Sequence, residues 1–68
     1  METLKELTDR VFAGMDIREQ QIGIYEGKGK PIYPDYADEM LETHGNYVVT
    51  DYAFSKDGIL VVALTEKK

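Results

Sequence analysis

The chain has 68 residues, a net charge of −5 and no cysteine. A chain of this length forms one small domain with a thin core, and without cysteine neither disulfides nor thiolate metal sites can stabilise it. Its hydrophobic residues (43%) and charged residues (31%) match a folded globular protein rather than a disordered one. The longest apolar run, residues 59–64, is too short to cross a bilayer, and the first residues lack a secretory signal pattern. We therefore expect one cytoplasmic domain, residues 1–68.

The first predicted helix begins after Thr3. Thr3 and Glu6 have the spacing of a capping box, in which each side chain satisfies a backbone N–H of the other residue. Apolar residues then recur at helical spacing, which predicts a stripe that faces the core. The stripe consists of Leu4, Leu7, Val11, Phe12 and Met15. Gly14 is the expected end of this helix.

Three segments have the composition of β-strands, namely residues 21–26, 46–54 and 59–65. Gly23 indicates a bulge in the first, and Gly58 suits the left-handed position of a hairpin turn before the third. Alternation in the second segment predicts Val48, Tyr52 and Phe54 on one face, with Tyr47, Val49 and Ala53 on the other.

The third strand is apolar on both faces, so it should lie in the middle of the sheet. The expected fold is α+β, with two helices packed on one face of a small three-stranded, mostly antiparallel sheet that ends in a β-hairpin. A homodimer that pairs sheet to sheet would protect the second face.

The segment from Tyr33 to Gly45 predicts an amphipathic helix with an acidic face. At about 100° per residue its acidic side chains share one arc of about 100°, while Tyr36, Met40 and their apolar neighbours face the core. The acidic side chains are Asp35, Asp38, Glu39 and Glu42. Pro34 suits the first turn, and Gly45 suits a left-handed residue just past the end.

The charge is distributed unevenly along the chain. Residues 31–55 contain five acidic residues, the fifth being Asp51, and no Lys or Arg, whereas the rest of the chain has eight acidic and eight basic residues. This distribution argues against direct binding to nucleic acid or an anionic membrane, and it favours a basic protein partner.

The patterns of common active sites are missing from the sequence. The loop of Gly27, Lys28, Gly29 and Lys30 lacks the spacing of a phosphate-binding P-loop. His44 is the only histidine and Ser55, the only serine, lies in a turn, so a nucleophile, base and acid triad is not expected. Carboxylates on one convex helix face cannot surround a metal ion. We expect no enzymatic activity, no cofactor and no metal.

The acidic face has two interpretations. A solvated face that keeps a small domain soluble needs no partner. Alternatively, carboxylates three and four residues apart stand roughly 5–6 Å apart, a spacing comparable with that of phosphates, so the face could imitate DNA. Tyrosines near the row could anchor an interface. Under this hypothesis the partner-binding residues are Asp35, Asp38, Glu39, Glu42, Asp51 and Tyr36.

In length, cysteine-free composition and acidic balance, the chain resembles the small acidic host-takeover proteins of lytic phages, in particular the Bacillus-phage inhibitor of the nucleoid protein HU. The resemblance is to the general character of the whole chain, and no residue role is transferred by it. It implies a basic, HU-like partner whose access to DNA is blocked. The alternative function is a non-enzymatic module that inhibits another host factor, in transcription, division or defence, through its sheet or its tyrosines.

Overall fold

The computed structural model describes residues 2–67, with the backbone alone for residues 66 and 67. The described helices are α1 (Leu4–Val11) and α2 (Ala37–His44), and the strands are β1 (Gln21–Ile24), β2 (Asp35–Tyr36), β3 (Tyr47–Phe54) and β4 (Leu60–Lys67). The strands form one mixed sheet in the order β2-β1-β4-β3. The α+β class and the central position of the last strand are confirmed. Neither described helix is long and apolar enough to cross a membrane.

The prediction of three strands was wrong, because a fourth strand, β2, pairs with β1. Two of the three pairings are antiparallel, but the pairing of β1 with β4 is parallel, with Gly23 beside Val61, so the sheet is mixed. The hairpin after β3 fixes the direction of β4, and β1 then joins its free edge from a distant part of the chain. Local residue patterns carry no information about the relative direction of strands so far apart in sequence.

Helix α1 begins as predicted, at a complete capping box. The amide of Glu6 donates to the hydroxyl of Thr3 (3.2 Å), and the amide of Thr3 donates to the carboxylate of Glu6 (2.9 Å). The helix ends at Val11 with Phe12 as its C-cap, before Gly14, so the apolar stripe does not reach Met15, which is 55% exposed.

Removing the cap should destabilise the protein measurably. We expect Thr3→Ala to lower the free energy of unfolding by about 1 kcal/mol, because the amide of Glu6 loses its acceptor. Urea unfolding followed by circular dichroism measures the change. Thr3→Ser keeps a hydroxyl and is the matched control; equal losses in both variants would mean that the hydrogen bond does not matter.

Both helices pack on the same face of the sheet. The buried cluster joins residues of α1 and α2 to the inward side chains of the two central strands. Its members are Leu4, Leu7, Phe12, Ile22, Ala37, Met40, Leu60 and Val62. The domain therefore has two layers, and it measures 33 × 29 × 17 Å.

Strand β3 departs from simple alternation. Val49 lies opposite Leu64 and Asp51 lies opposite Ala63, so Thr50 is an extra residue in a bulge. Because of the bulge, Val49 lies on the same face as Tyr52 and Phe54, and the predicted placement of Val49 with Ala53 was wrong. The turn that follows contains Gly58 at φ 82°, as expected for a left-handed hairpin position.

Candidate protein-binding site

The predicted acidic residues lie where strand β2 passes directly into helix α2. Strand β2 is held at the edge of the sheet by β1, with Ile22 opposite Asp35. The chain then turns into the helix at Tyr36, which is its N-cap, and the amide of Ala37 donates to the carbonyl of Gln20 (2.7 Å). This junction fixes the start of α2 on the sheet, and with it the direction of the acidic side chains.

Helix α2 is amphipathic as predicted. Ala37 and Met40 are buried against the sheet, whereas Glu39 and Glu42 are exposed. Asp38 is half-buried. Asp38 and Glu39 occupy the first turn, where the positive end of the helix dipole favours carboxylates. We refer to Asp35, Asp38, Glu39 and Glu42 together as the acidic cluster.

Asp35 belongs to the acidic cluster but lies outside helix α2. The predicted helical start near Pro34 was wrong, because Asp35 and Tyr36 are in β2 and α2 begins at Ala37. Even so, the carboxyl of Asp35 is in hydrogen-bonding contact with that of Glu39, and this contact, together with the charge of Asp35, raises the pKa of Glu39. The effect of Asp35 on Glu39 thus connects the end of β2 with the acidic face of α2.

The contact between Asp35 and Glu39 predicts an unusual pH dependence. The pKa of Glu39 in the folded protein is raised above its ordinary 4.5. At a pH above this raised pKa, Glu39 is ionised and its repulsion from neighbouring carboxylates destabilises the folded state; the destabilisation disappears as the pH falls toward 4.5 and Glu39 is protonated. We expect Glu39→Gln to have a higher melting temperature than the wild type at neutral pH, and the advantage to vanish in acid.

Thermal unfolding of both proteins across this pH range tests the repulsion. Glu26→Gln, which removes an exposed carboxylate outside the cluster, is the control. If Glu39→Gln gains no more stability at neutral pH than Glu26→Gln does, the two carboxyls of the cluster do not repel each other appreciably.

One basic residue lies close to the cluster. The guanidinium of Arg18 pairs with Asp16 (3.0 Å), and this hydrogen bond is the main reason that the pKa of Arg18 is raised; the charge of Asp38 adds a smaller effect. Arg18 lies outside the uninterrupted acidic segment of the sequence, and only the fold brings the turn of residues 16–19 near α2. Its charge reduces the negative field at Asp38 and leaves the outer carboxylates of Glu39 and Glu42 unpaired among the described side chains.

The predicted tyrosines have different environments. Tyr36, expected on the core side of a helix, is instead 48% exposed, because it caps α2 from the edge strand. Tyr33 is 79% exposed just before it. In contrast, Tyr52 lies under the guanidinium of Arg10 (5.8 Å to the ring centre), and Tyr47 packs against His44 with ring centres 4.8 Å apart. Among the described tyrosines, Tyr33 and Tyr36 are the two with open ring surface in the segment that leads into α2.

Asp51 is the one predicted residue that the fold separates from the others. It is in β3, while Asp35 is in β2 at the opposite edge of the four-stranded sheet, three strand spacings or roughly 14 Å away. Its carboxylate accepts a hydrogen bond from the amide of Tyr52 (2.9 Å). Asp51 therefore lies apart from the acidic cluster, at the other edge of the sheet.

His44 ends α2 on the side that faces the sheet. Its Nδ1 lies 2.7 Å from the hydroxyl of Thr43, and its ring contacts Tyr47. Within the described part of the chain, no group of three or more His, Asp and Glu side chains is arranged to hold a metal ion.

No protein-family model, curated protein or solved structure matches this chain. The residue roles proposed below therefore rest on the chemistry of the chain itself.

Proposed function

We propose that this protein is a non-enzymatic inhibitor that binds a basic bacterial DNA-binding protein, of the HU type, and keeps that protein off DNA. The acidic cluster is the contact surface, and Tyr33 and Tyr36 are apolar anchors beside it. The proposed place of action is the bacterial cytoplasm, at the nucleoid.

The observation that carries this proposal is a local excess of negative charge that the domain itself does not neutralise. Asp35 raises the pKa of the nearby Glu39 carboxyl, and Glu42 is exposed about one helical turn further along α2. Like charges held together raise the energy of the free protein, and lysine and arginine side chains of a partner would remove that repulsion. The cluster is thus better suited to a cationic surface than to water.

DNA is the natural competitor for such a partner. A DNA-binding surface places lysine and arginine side chains where phosphates would lie. Carboxylates fixed on a short strand and helix offer an anionic substitute that loses little conformational entropy on binding. The general resemblance to phage host-takeover proteins supports HU as the first partner to test.

A second candidate function uses a different kind of contact. Tyr33 and Tyr36 expose much of their rings, and exposed tyrosines are common anchors of protein interfaces. The protein could therefore inhibit another host factor through these rings or through its sheet. Such a contact would depend weakly on salt, whereas one made by exposed charges weakens as ionic strength rises.

A competition experiment separates the two candidates. Purified HU is bound to a fluorescent DNA duplex, and this protein is added at low and at moderate salt. Because DNA binding is itself salt-dependent, the direct affinity for HU is measured in parallel by calorimetry. Displacement of the duplex, with direct affinity that falls as salt rises, supports the DNA mimic. Binding to HU without displacement, or no binding even at low salt, would rule it out.

A further inference from the structure

One face of the sheet is not covered by any described helix. Leu60 and Val62 point into the core, so the alternate residues Val61 and Ala63 point to the other face, joined by Ala53 of β3. Val61 and Ala63 are half-buried and Ala53 is exposed. We call this surface the open face.

A ridge crosses the open face above β1. The missing side chain of Gly23 leaves room for Ile32, whose Cγ2 occupies the place where a Cβ of residue 23 would be, and the Cα of Pro34 is 3.9 Å from that place. Any larger residue at position 23 would displace the loop. In this loop Ile32 packs on Gly23 and is 38% exposed, and its neighbour Tyr33 is 79% exposed.

A shallow groove lies beside the ridge. Ala53, Val61 and Ala63 form its floor, and Tyr25 and Asp51 stand at its sides. The strand order places the ridge over β1 and the groove over β4 and β3. The open face is therefore divided into a raised half and a hollow half.

We propose that two copies of this chain form a dimer by packing their open faces together, with the two-fold axis parallel to the strands. A rotation of 180° about such an axis exchanges the β1 side with the β3 side, so the ridge of each copy meets the groove of the other. A two-fold interface needs a self-complementary surface of this kind.

The charges at the two ends of the open face are complementary. Lys28 and Lys30 lie in the turn that leads into the ridge, and Asp51 stands at the far side of the groove. None of the three forms a salt bridge with a described side chain. In the proposed dimer, the lysines of one copy face Asp51 of the other.

Two observations favour packing of open face on open face: the face is large enough, and the free edge of β3 is partly occupied by other hydrogen bonds. The flat dimensions of the domain are 33 × 29 Å, compatible with the roughly 800 Å² that each partner commonly buries in a stable interface. Pairing through the free edge of β3 is hindered, because the amide of Val49 already donates to the carbonyl of Glu2 and that of Tyr52 donates to Asp51.

Sedimentation equilibrium of the full chain tests the dimer. We expect the wild type to dimerise, and Ala63→Lys to weaken the dimer about tenfold or more because it places a charge on the groove floor. Thr43→Lys, on the exposed side of α2, is the matched control and should leave the dimer unchanged. A wild type that stays monomeric at the highest soluble concentration, or an Ala63→Lys protein that dimerises normally, would overturn the proposal.

A charge-reversal series keeps the test valid if Ala63→Lys fails to fold. Asp51→Lys alone should weaken the dimer, because it places like charges opposite each other. Its combination with Lys28→Glu and Lys30→Glu should restore the dimer, because the signs on both sides are then reversed. All three positions are exposed, so these changes should not disturb the fold. Failure of the combination to restore the dimer would contradict the proposed orientation. Tyr33 takes part in both proposed contacts, but no variant in this series changes Tyr33 or the acidic cluster, so loss of the dimer and loss of binding to HU are distinguished.

Discussion

Neutralising the exposed carboxylates of the acidic cluster should weaken binding to HU roughly tenfold to a hundredfold at low salt. The variant is Asp35→Asn/Glu39→Gln/Glu42→Gln, which keeps Asp38 because that residue is half-buried near Arg18. Each exposed ion pair with the partner changes the affinity by a factor of roughly two to five, and three such factors multiply to this range. Isothermal titration calorimetry gives the two affinities.

The matched control for this variant is Asp9→Asn/Glu26→Gln/Asp57→Asn. It also removes three exposed negative charges, so it has the same net charge, but its positions lie outside the acidic cluster. We expect the control to bind nearly as tightly as the wild type. If both variants lose affinity equally, the partner responds to total charge, and the cluster has no special role.

Truncation of Leu60 should have the largest effect on stability. Leu60 is fully buried in the central strand, between the helices and the neighbouring strands. Removing a leucine side chain from a packed core costs about 2–5 kcal/mol, while a domain of 68 residues has a total stability of roughly 3–10 kcal/mol. We therefore expect Leu60→Ala to be largely unfolded or close to its unfolding midpoint near physiological temperature.

Urea unfolding of Leu60→Ala beside Tyr33→Ala measures this effect against a control. Tyr33 is 79% exposed, and its removal should change the free energy of unfolding by less than about 0.5 kcal/mol. If Leu60→Ala lowers the free energy of unfolding by less than about 1 kcal/mol, the centre of the core is elsewhere.

Local signals in the sequence were sufficient for the start of α1, for the amphipathic character of α2 and for the central strand. The reciprocal pairing of Thr3 and Glu6 marks the start of α1, and the apolar composition of β4 indicates a strand that is paired on both edges. Both signals act over a few residues, so a single sequence contains them completely.

The errors occurred where distant parts of the chain decide the structure. Strand β2 has only two residues, too few for any periodic pattern, and it exists because β1 offers a free edge. The same pairing excludes Asp35 and Tyr36 from the helix that they were expected to begin. The conformation of Gly45 was also predicted wrongly: its backbone is right-handed, and glycine is favoured there because a Cβ would be 2.5 Å from the carbonyl oxygen of Leu41.

The acidic cluster was predicted in composition but not in arrangement. The spacing of Asp38, Glu39 and Glu42 on one helix could be read from the sequence, because it depends on helical geometry alone. The contact of Asp35 with Glu39, the approach of Arg18 and the separation of Asp51 all depend on the sheet order. None of these three could be obtained from local patterns.

The most direct test of the proposed function is a titration of isotope-labelled protein with unlabelled HU, followed by two-dimensional NMR of the backbone amides. We expect the largest shift changes in residues 33–42, and we expect added DNA duplex to reverse them. Changes concentrated instead at Ala53, Val61 and Ala63 would mean that the partner binds the open face. That result would contradict the assignment of the acidic cluster as the binding site.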